Sequence, residues 1–300
     1  MKLRDVGEDR LLEQLLGKRK PGRGVVLGPG DDCAIVESGK PGVLQLLKTD
    51  CLVEGVHFTG NDRPERVGWK SMARPVSDFA AMSGVPQFAL VTLVVPATCE
   101  VAWVKKLYRG IEKAARQFGM DIVGGETSNT KGPAVISVSV SGFVEKRRWV
   151  GRAGGRAGDE LFVTGRLGGS LRGHHLKFVP RLAESRWLTE NFRIHAMMDL
   201  SDGLGTDLPR LARASKVGFE IDEGALPLNP GCSPRQAIAD GEDYELLFAI
   251  APKVSGLLRA RWARKFPKIP LTRIGQLTRN SKFGPPKADR KFPRGYLHFR

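Results

Sequence analysis

Gly28-Pro29-Gly30-Asp31-Asp32-Cys33-Ala34-Ile35-Val36 sets two adjacent carboxylates in a glycine-rich turn directly before a short apolar strand. Glycine tolerates positive φ and lets an ion or phosphate approach the backbone, while neighbouring anions repel unless donors, water or a cation relieve them. Magnesium relieves them well, because it takes hard oxygen ligands and shares them with substrate phosphates. Taken alone, the pair reads as a solvated turn, which favours Asp and Gly for local hydrogen bonding. Recurrence changes that reading. Further acids follow at apolar-to-glycine junctions in Thr49-Asp50, Ser77-Asp78, Gly124-Gly125-Glu126-Thr127, Asp199-Leu200-Ser201-Asp202-Gly203 and Gly241-Glu242-Asp243. Each falls where a strand or helix is expected to begin or end, as in an α/β fold whose active site is built from the ends of its elements. The pattern predicts one converging acidic site for metal-bound phosphates.

Around these stretches lie 300 residues, 41% hydrophobic and only 7% aromatic, enough for two domains of ordinary size with a core each. The first ten residues lack the apolar run of a signal peptide, and no segment approaches the roughly 20 apolar residues of a membrane span, so a cytoplasmic chain is expected. Cys33, Cys51, Cys99 and Cys232 make no CxxC pair and read as reduced thiols. The net charge is +16, from 48 Lys and Arg against 32 Asp and Glu, and it is uneven. From Arg259 to Arg300 there are thirteen basic residues and one acid, Asp289. Such a tail can attract nucleic acid or nucleotide phosphates. With no zinc finger, RNP-type motif or basic zipper, nucleic acid is not favoured as a partner.

In chain order, Leu11, Leu12, Leu15 and Leu16 mark a short helix that Gly17 can end, followed by a basic loop at 18–23. Strands are expected at 24–27, 33–36 and 43–50, the last delivering Thr49 and Asp50 at its end. A helical region from 64 to 82, interrupted near Pro75, carries Ser77 and Asp78. The apolar run at 87–95 predicts a strand covered on both faces. Helical spacing of apolar residues over 100–118 and alternation over 134–144 predict a core helix and a half-buried strand. The Gly- and Arg-rich segment 146–158 reads as a junction, dividing the chain into 1–149 and 150–300. The second half repeats the α/β pattern, with strands at 160–164, 217–221 and 244–250 and helices near 233–239 and 254–265. The stretch Ala196-Met197-Met198-Asp199-Leu200-Ser201-Asp202-Gly203 is expected to open a helix running to about Ala214, with Ser201 placed to cap it.

Seven motifs then stand in order: Gly30-Asp31-Asp32-Cys33-Ala34, Thr49-Asp50-Cys51-Leu52-Val53-Glu54-Gly55-Val56-His57-Phe58, Ser77-Asp78-Phe79-Ala80-Ala81-Met82, Gly124-Gly125-Glu126-Thr127, Asp199-Leu200-Ser201-Asp202-Gly203, Gly241-Glu242-Asp243-Tyr244-Glu245-Leu246-Leu247-Phe248 and Gly295-Tyr296-Leu297-His298-Phe299. In that order they resemble the thiamine-monophosphate kinase family, from about Gly7 to Phe299. The family belongs to the aminoimidazole ribonucleotide synthetase-like superfamily, and no P-loop or protein-kinase motif set competes with it. The resemblance implies a two-domain α/β (α+β) fold, with an N-terminal ATP- and metal-binding dimerisation domain, a C-terminal α/β domain, and a homodimer. It implies transfer of the γ-phosphoryl group of ATP to thiamine monophosphate, assisted by several Mg2+ ions. Position by position, it assigns Asp31, Asp32, Thr49, Asp50, Asp78, Glu126, Asp199 and Asp202 to metal, with Asp50 and Asp202 catalytic. Gly125, Glu126, Arg152 and Ser201 are matched to ATP, and His57, Glu242 and Tyr296 to the thiamine substrate.

Three positions depart from the family pattern. Lys48 stands where Ser or Thr is usual, before Thr49. An ammonium about 4 Å from another unit charge feels roughly 4 kcal/mol at an effective dielectric near 20, so Lys48 either points away from magnesium or replaces one ion. Glu126 replaces the usual Asp, one carbon–carbon bond of about 1.5 Å longer. Pro75 replaces Asn and removes a backbone donor. The segment 169–191 is also shorter than usual. Two other readings remain open: a different small-molecule acceptor, or a weakened homologue that binds nucleic acid through its basic tail.

Overall fold

A computed structural model describes residues 2–17, 22–279 and 293–296. The basic loop at 18–21, most of the tail beyond 279, and Leu297, His298 and Phe299 of the last motif lie outside the described residues. The chain runs α1 (Leu3–Val6), α2 (Glu8–Leu16), β1 (Val25–Leu27), β2 (Ala34–Glu37), β3 (Val43–Val53), α3 (Pro64–Ala81), β4 (Val85–Val95), α4 (Val101–Phe118), β5 (Asp121–Asn129) and β6 (Val135–Glu145). It continues β7 (Glu160–Thr164), α5 (Leu182–Asn191), β8 (Ile194–Asp199), α6 (Leu204–Ala214), β9 (Gly218–Ile221), α7 (Pro234–Ala239), β10 (Leu246–Ile250), α8 (Pro252–Lys265) and β11 (Leu271–Thr278). Two sheets result. The first has order β1-β2-β3-β6-β4-β5 and the second β8-β10-β7-β11-β9. Among the described strands, only β4 and β5 pair in parallel.

The inner face of the first sheet is decided by alternation. Leu44, Leu46 and Leu52 of β3 and Ile136, Val138 and Val140 of β6 point into a core built with α3 and α4. Those two helices cross backbone to backbone. A Cβ on Gly68 would stand 2.0 Å from the carbonyl oxygen of Leu107, and one on Gly110 would stand 1.9 Å from that of Glu65, so only glycine fits either position. Helix α3 continues onto β8 of the second sheet and onto α5, and so ties the two halves together.

Four expectations are corrected. Helix α3 is unbroken from Pro64 to Ala81, with Pro75 inside it. Fourteen of its residues are buried, and that tertiary packing holds the helix despite the missing amide donor. Strand β4 is covered on one face only, because Phe88 and Leu90 of its outer face are exposed in the single chain. Asp50 and Glu126 lie inside β3 and β5 rather than at their ends, whereas Asp78 lies in the last turn of α3 as expected. The Asp199 motif does not open α6, because Ala196 to Asp199 belong to β8 and α6 starts at Leu204 with Gly203 rather than Ser201 as its N-cap. The four cysteines are free thiols. Among the described residues, no helix is long and apolar enough to cross a membrane.

Candidate active site

Three acids from distant parts of the sequence meet between the two sheets. Asp32 comes from the turn before β2, Asp78 from α3 and Asp199 from the end of β8. All three are buried, and each offers a carboxylate oxygen within 4.8 Å of the other two. Burial and the Asp32 charge push Asp199 up to about 7, although Ser77 Oγ donates to its carboxylate at 2.5 Å. Burial raises Asp78 well above the usual carboxylate range, against the pull of Lys48. Asp31 is pushed up to about 6, first by burial and then by Asp32, while the Arg152 amide donates to it at 3.0 Å. Such a cluster cannot carry its full negative charge without cations.

Two cations of the chain already enter it. Lys48 Nζ lies 3.0 Å from Asp78 Oδ1 and 4.0 Å from Asp50 Oδ1, so Lys48 points inward. Burial works against its charge, but Asp78 and Asp50 outweigh burial and raise its pKa. Arg152 donates to Asp32 Oδ1 from Nη2 at 2.5 Å and from Nε at 3.2 Å. The other oxygen of Asp32, Oδ2, is buried without a hydrogen-bond partner among the described residues. An orphaned carboxylate oxygen among hard-oxygen donors fits a divalent cation such as magnesium.

The acids open onto a cavity of about 590 Å³, lined among others by Asp31, Asp50, Arg152, Ser201, Asp202 and Arg210. Beside it lies a smaller cavity of about 110 Å³ that His57, Leu171, Glu242, Tyr244 and Tyr296 help to line. Ser201, Asp202, Arg74 and Tyr244 belong to both. Asp202 pairs with Arg210, and its backbone carbonyl accepts from the Tyr296 amide at 2.8 Å. His57 Nδ1 accepts from the Val53 amide at 3.0 Å. Lys70 Nζ, wholly buried, lies 2.7 Å from Glu242 Oε1 and donates to the His57 carbonyl oxygen at 2.7 Å. Burial lowers its pKa to about 8 against the pull of Glu242.

The loop carrying Glu242 is held in an unusual shape. Glu242 and Tyr244 adopt φ of 62° and 53°, positions that side-chain-bearing residues rarely occupy. Their amides are fixed to the carbonyls of Ser201 and Leu200 at 2.7 and 2.8 Å, and Asp243 between them accepts from the Gly168 amide at 3.0 Å. Strain of this kind persists where surrounding bonds over-determine it, and it concentrates at functional sites.

Not every expected residue joins the cluster. In β3 the side chains of Lys48 and Asp50 face inward, so Thr49 between them faces out, where Ser139 Oγ donates to its Oγ1 at 3.0 Å. Glu126 lies on exposed edge strand β5, opposite Thr92 of β4. Gly125 is explained by packing, since a Cβ there would stand 1.8 Å from the carbonyl oxygen of Val91. Lys70, Arg74, Arg210 and Tyr244 were missed in the sequence. Lys70 and Arg74 read as one polar edge of a helix, and only the shape of the Tyr244 backbone takes that residue out of the following strand.

A cleft of carboxylates and cations beside a smaller cavity can hold a polyphosphate through divalent metal and present a second ligand to it. Comparison with known proteins agrees in kind. Residues 30–144 match the model for the AIR synthase related protein N-terminal domain, and residues 159–285 match that for its C-terminal domain. A thiamine-monophosphate kinase from Rhodopirellula baltica is 35% identical over 97% of this chain and 97% of its own length. One from Bacillus subtilis is 33% identical over 86% of this chain and 87% of its own. The solved structure of AaThiL complexed with AMPPCP and TMP superposes with a TM-score of 0.82 at 32% identity, covering 99% of both chains. The two-domain architecture is thus that of the AIR synthase related proteins, and the chain belongs to the thiamine-monophosphate kinase family.

Proposed function

We propose that this chain transfers the γ-phosphoryl group of ATP to thiamine monophosphate, giving thiamine diphosphate and ADP. The observation that carries the reading is the junction of two cavities, one of about 590 Å³ that accommodates a nucleotide and one of about 110 Å³ bearing His57, Glu242 and Tyr296. The complex of the similar AaThiL with AMPPCP and TMP supports it.

The nucleophile is an oxygen of the acceptor phosphate, which is already anionic. No strong base is needed, and the chain's task is to hold two polyanions in line and offset their repulsion. Arg152 and Ser201, on the wall of the large cavity, are assigned to the ATP phosphates. His57, Glu242 and Tyr296 are assigned to thiamine, whose thiazolium cation suits the Glu242 carboxylate. Asp202, on the wall of both cavities, and Asp50 flank the position of transfer. Magnesium, held by Asp32, Asp78 and Asp199 with Asp31, Asp50 and Asp202 around them, would supply charge neutralisation at the phosphate oxygens. Lys48 contributes one fixed positive charge to the same cluster and takes the place of one ion.

The domain division at 149/150 and a homodimer belong to the same reading. On the outer face of the first sheet Leu47, Phe88 and Leu90 are 40%, 43% and 49% exposed, an apolar surface suited to a second copy. Thr49 lies on that face and Gly125 and Glu126 lie on its edge strand, so any contact of theirs with metal or ATP requires the second copy to cover it. The reaction, fed by ATP, is assigned to the cytoplasm. Formation of thiamine diphosphate from ATP and thiamine monophosphate, measured with and without magnesium, tests the proposal; no product with both substrates and magnesium present would refute it.

A further inference from the structure

From Val67 to Ala81 every residue of α3 is buried except Arg74. Its guanidinium reaches the junction between the two cavities, and it is the one cation among the described residues that line both. The group is fixed from one side, where Nη1 donates to the Cys51 carbonyl oxygen at 2.9 Å. Its Nε is buried and has no hydrogen-bond partner among the described residues. Asp50 lies on the large-cavity side and Glu242 on the small-cavity side, and the charges of both act on the guanidinium between them. A guanidinium stays protonated and presents donors in a planar fork that matches two phosphate oxygens at once.

We propose that Arg74 is a catalytic residue whose guanidinium bridges the acceptor phosphate and the phosphoryl group in flight. The proposal rests on the reading of the two cavities as the sites of ATP and the acceptor. In the step, an acceptor phosphate oxygen forms a bond to the γ-phosphorus as the bond from that phosphorus to the β–γ bridging oxygen breaks. The electron pair leaves with ADP, and no proton has to move. Arg74 gives up no proton either. Its charge lies where the two anions approach most closely, and arginines so placed in phosphoryl transfer accelerate the step by about 10³-fold or more.

The test uses the full chain and the variants Arg74→Met and Arg74→Lys, each checked for folding by its thermal transition. Two quantities are measured: kcat and KM with ATP and thiamine monophosphate, and the affinity for magnesium pyrophosphate by calorimetry. Pyrophosphate is the probe because it carries two linked phosphates, as the acceptor phosphate and the transferred group are in the step. Arg74→Met is expected to lower kcat at least about 100-fold and to weaken pyrophosphate binding about tenfold, with Arg74→Lys recovering part of both. A folded Arg74→Met with kcat, KM and pyrophosphate affinity within about threefold of the parent overturns the proposal. Should the parent chain make no thiamine diphosphate, the acceptor assignment fails, and the pyrophosphate comparison still decides on Arg74: weaker binding supports it and equal binding overturns it. If Arg74→Met does not fold, Arg74→Lys, which keeps the charge and stem but loses the fork, decides instead: kcat lowered more than about threefold supports the proposal, and kcat, KM and pyrophosphate affinity all within about threefold of the parent overturn it.

Discussion

Lys48 Nζ sits 3.0 Å from Asp78 Oδ1, inside a cluster of acids of the kind that bind divalent metal. An ammonium there repels a nearby divalent ion by several kcal/mol at an effective dielectric near 20. Replacement by threonine removes the repulsion and adds an oxygen ligand. Lys48→Thr is therefore expected to bind one more equivalent of magnesium than the parent chain in a calorimetric titration. The same stoichiometry and affinity in both would show that Lys48 occupies no ion's place.

The raised carboxylates make a prediction about pH. Between 3.8, the unfolded value, and about 7 for Asp199 or about 8 for Asp243, the folded chain keeps protons that the unfolded chain has lost. Stability of the metal-free protein should fall as pH rises through that window and level off above it. Magnesium should restore the part due to Asp199 and leave the part due to Asp243. Asp243→Asn, which keeps an acceptor for the Gly168 amide, should be more stable than the parent at pH 8 by at least about 1 kcal/mol. A thermal midpoint for this variant that does not exceed the parent's at pH 8 would contradict the assignment.

Lys70 is wholly buried against Glu242, and removing one partner leaves the other charge uncompensated. Lys70→Met should cost about 3 to 5 kcal/mol of stability and raise KM for thiamine monophosphate more than KM for ATP. Equal effects on both constants would mean that the pair supports the fold alone.

Gly68→Ala places a methyl group 2.0 Å from the Leu107 carbonyl oxygen, and backbone on both sides has to move. The expected loss is about 1 to 3 kcal/mol, read as a lower thermal midpoint. An unchanged midpoint would mean that α3 and α4 cross less tightly than described.

The exposed Leu90 offers a separate test of assembly. Leu90→Glu puts a charge in the middle of the apolar outer face and should convert a dimer to monomer in light scattering, without unfolding the chain. A parent protein that is already a monomer at micromolar concentration would remove the proposed role of that face.

How much of this was legible in the sequence follows from the reach of each signal. Alternation in β6 and helical spacing in α4 are local, and both elements lie where periodicity puts them. Recurrent acids at Asp32, Asp78 and Asp199 announced a cluster, and those three converge. Period-two geometry also separates Thr49 from its neighbours Lys48 and Asp50, yet a motif read as a unit concealed that separation. Beyond local reach, Pro75 looked like a break because the tertiary burial that holds α3 together has no local signature. Lys70 and Arg74 were illegible for a related reason. What distinguishes them is which cavity or carboxylate lies opposite, and Glu242 is 172 residues away from Lys70 along the chain.

Thiamine diphosphate formation from ATP and thiamine monophosphate, followed as magnesium is raised from zero, tests the central claim most directly. The account predicts product that depends on magnesium and is lost in Asp199→Asn, because that variant removes one of the three converging carboxylates. Product formed equally well by Asp199→Asn, or none from the parent chain at any magnesium concentration, would contradict it.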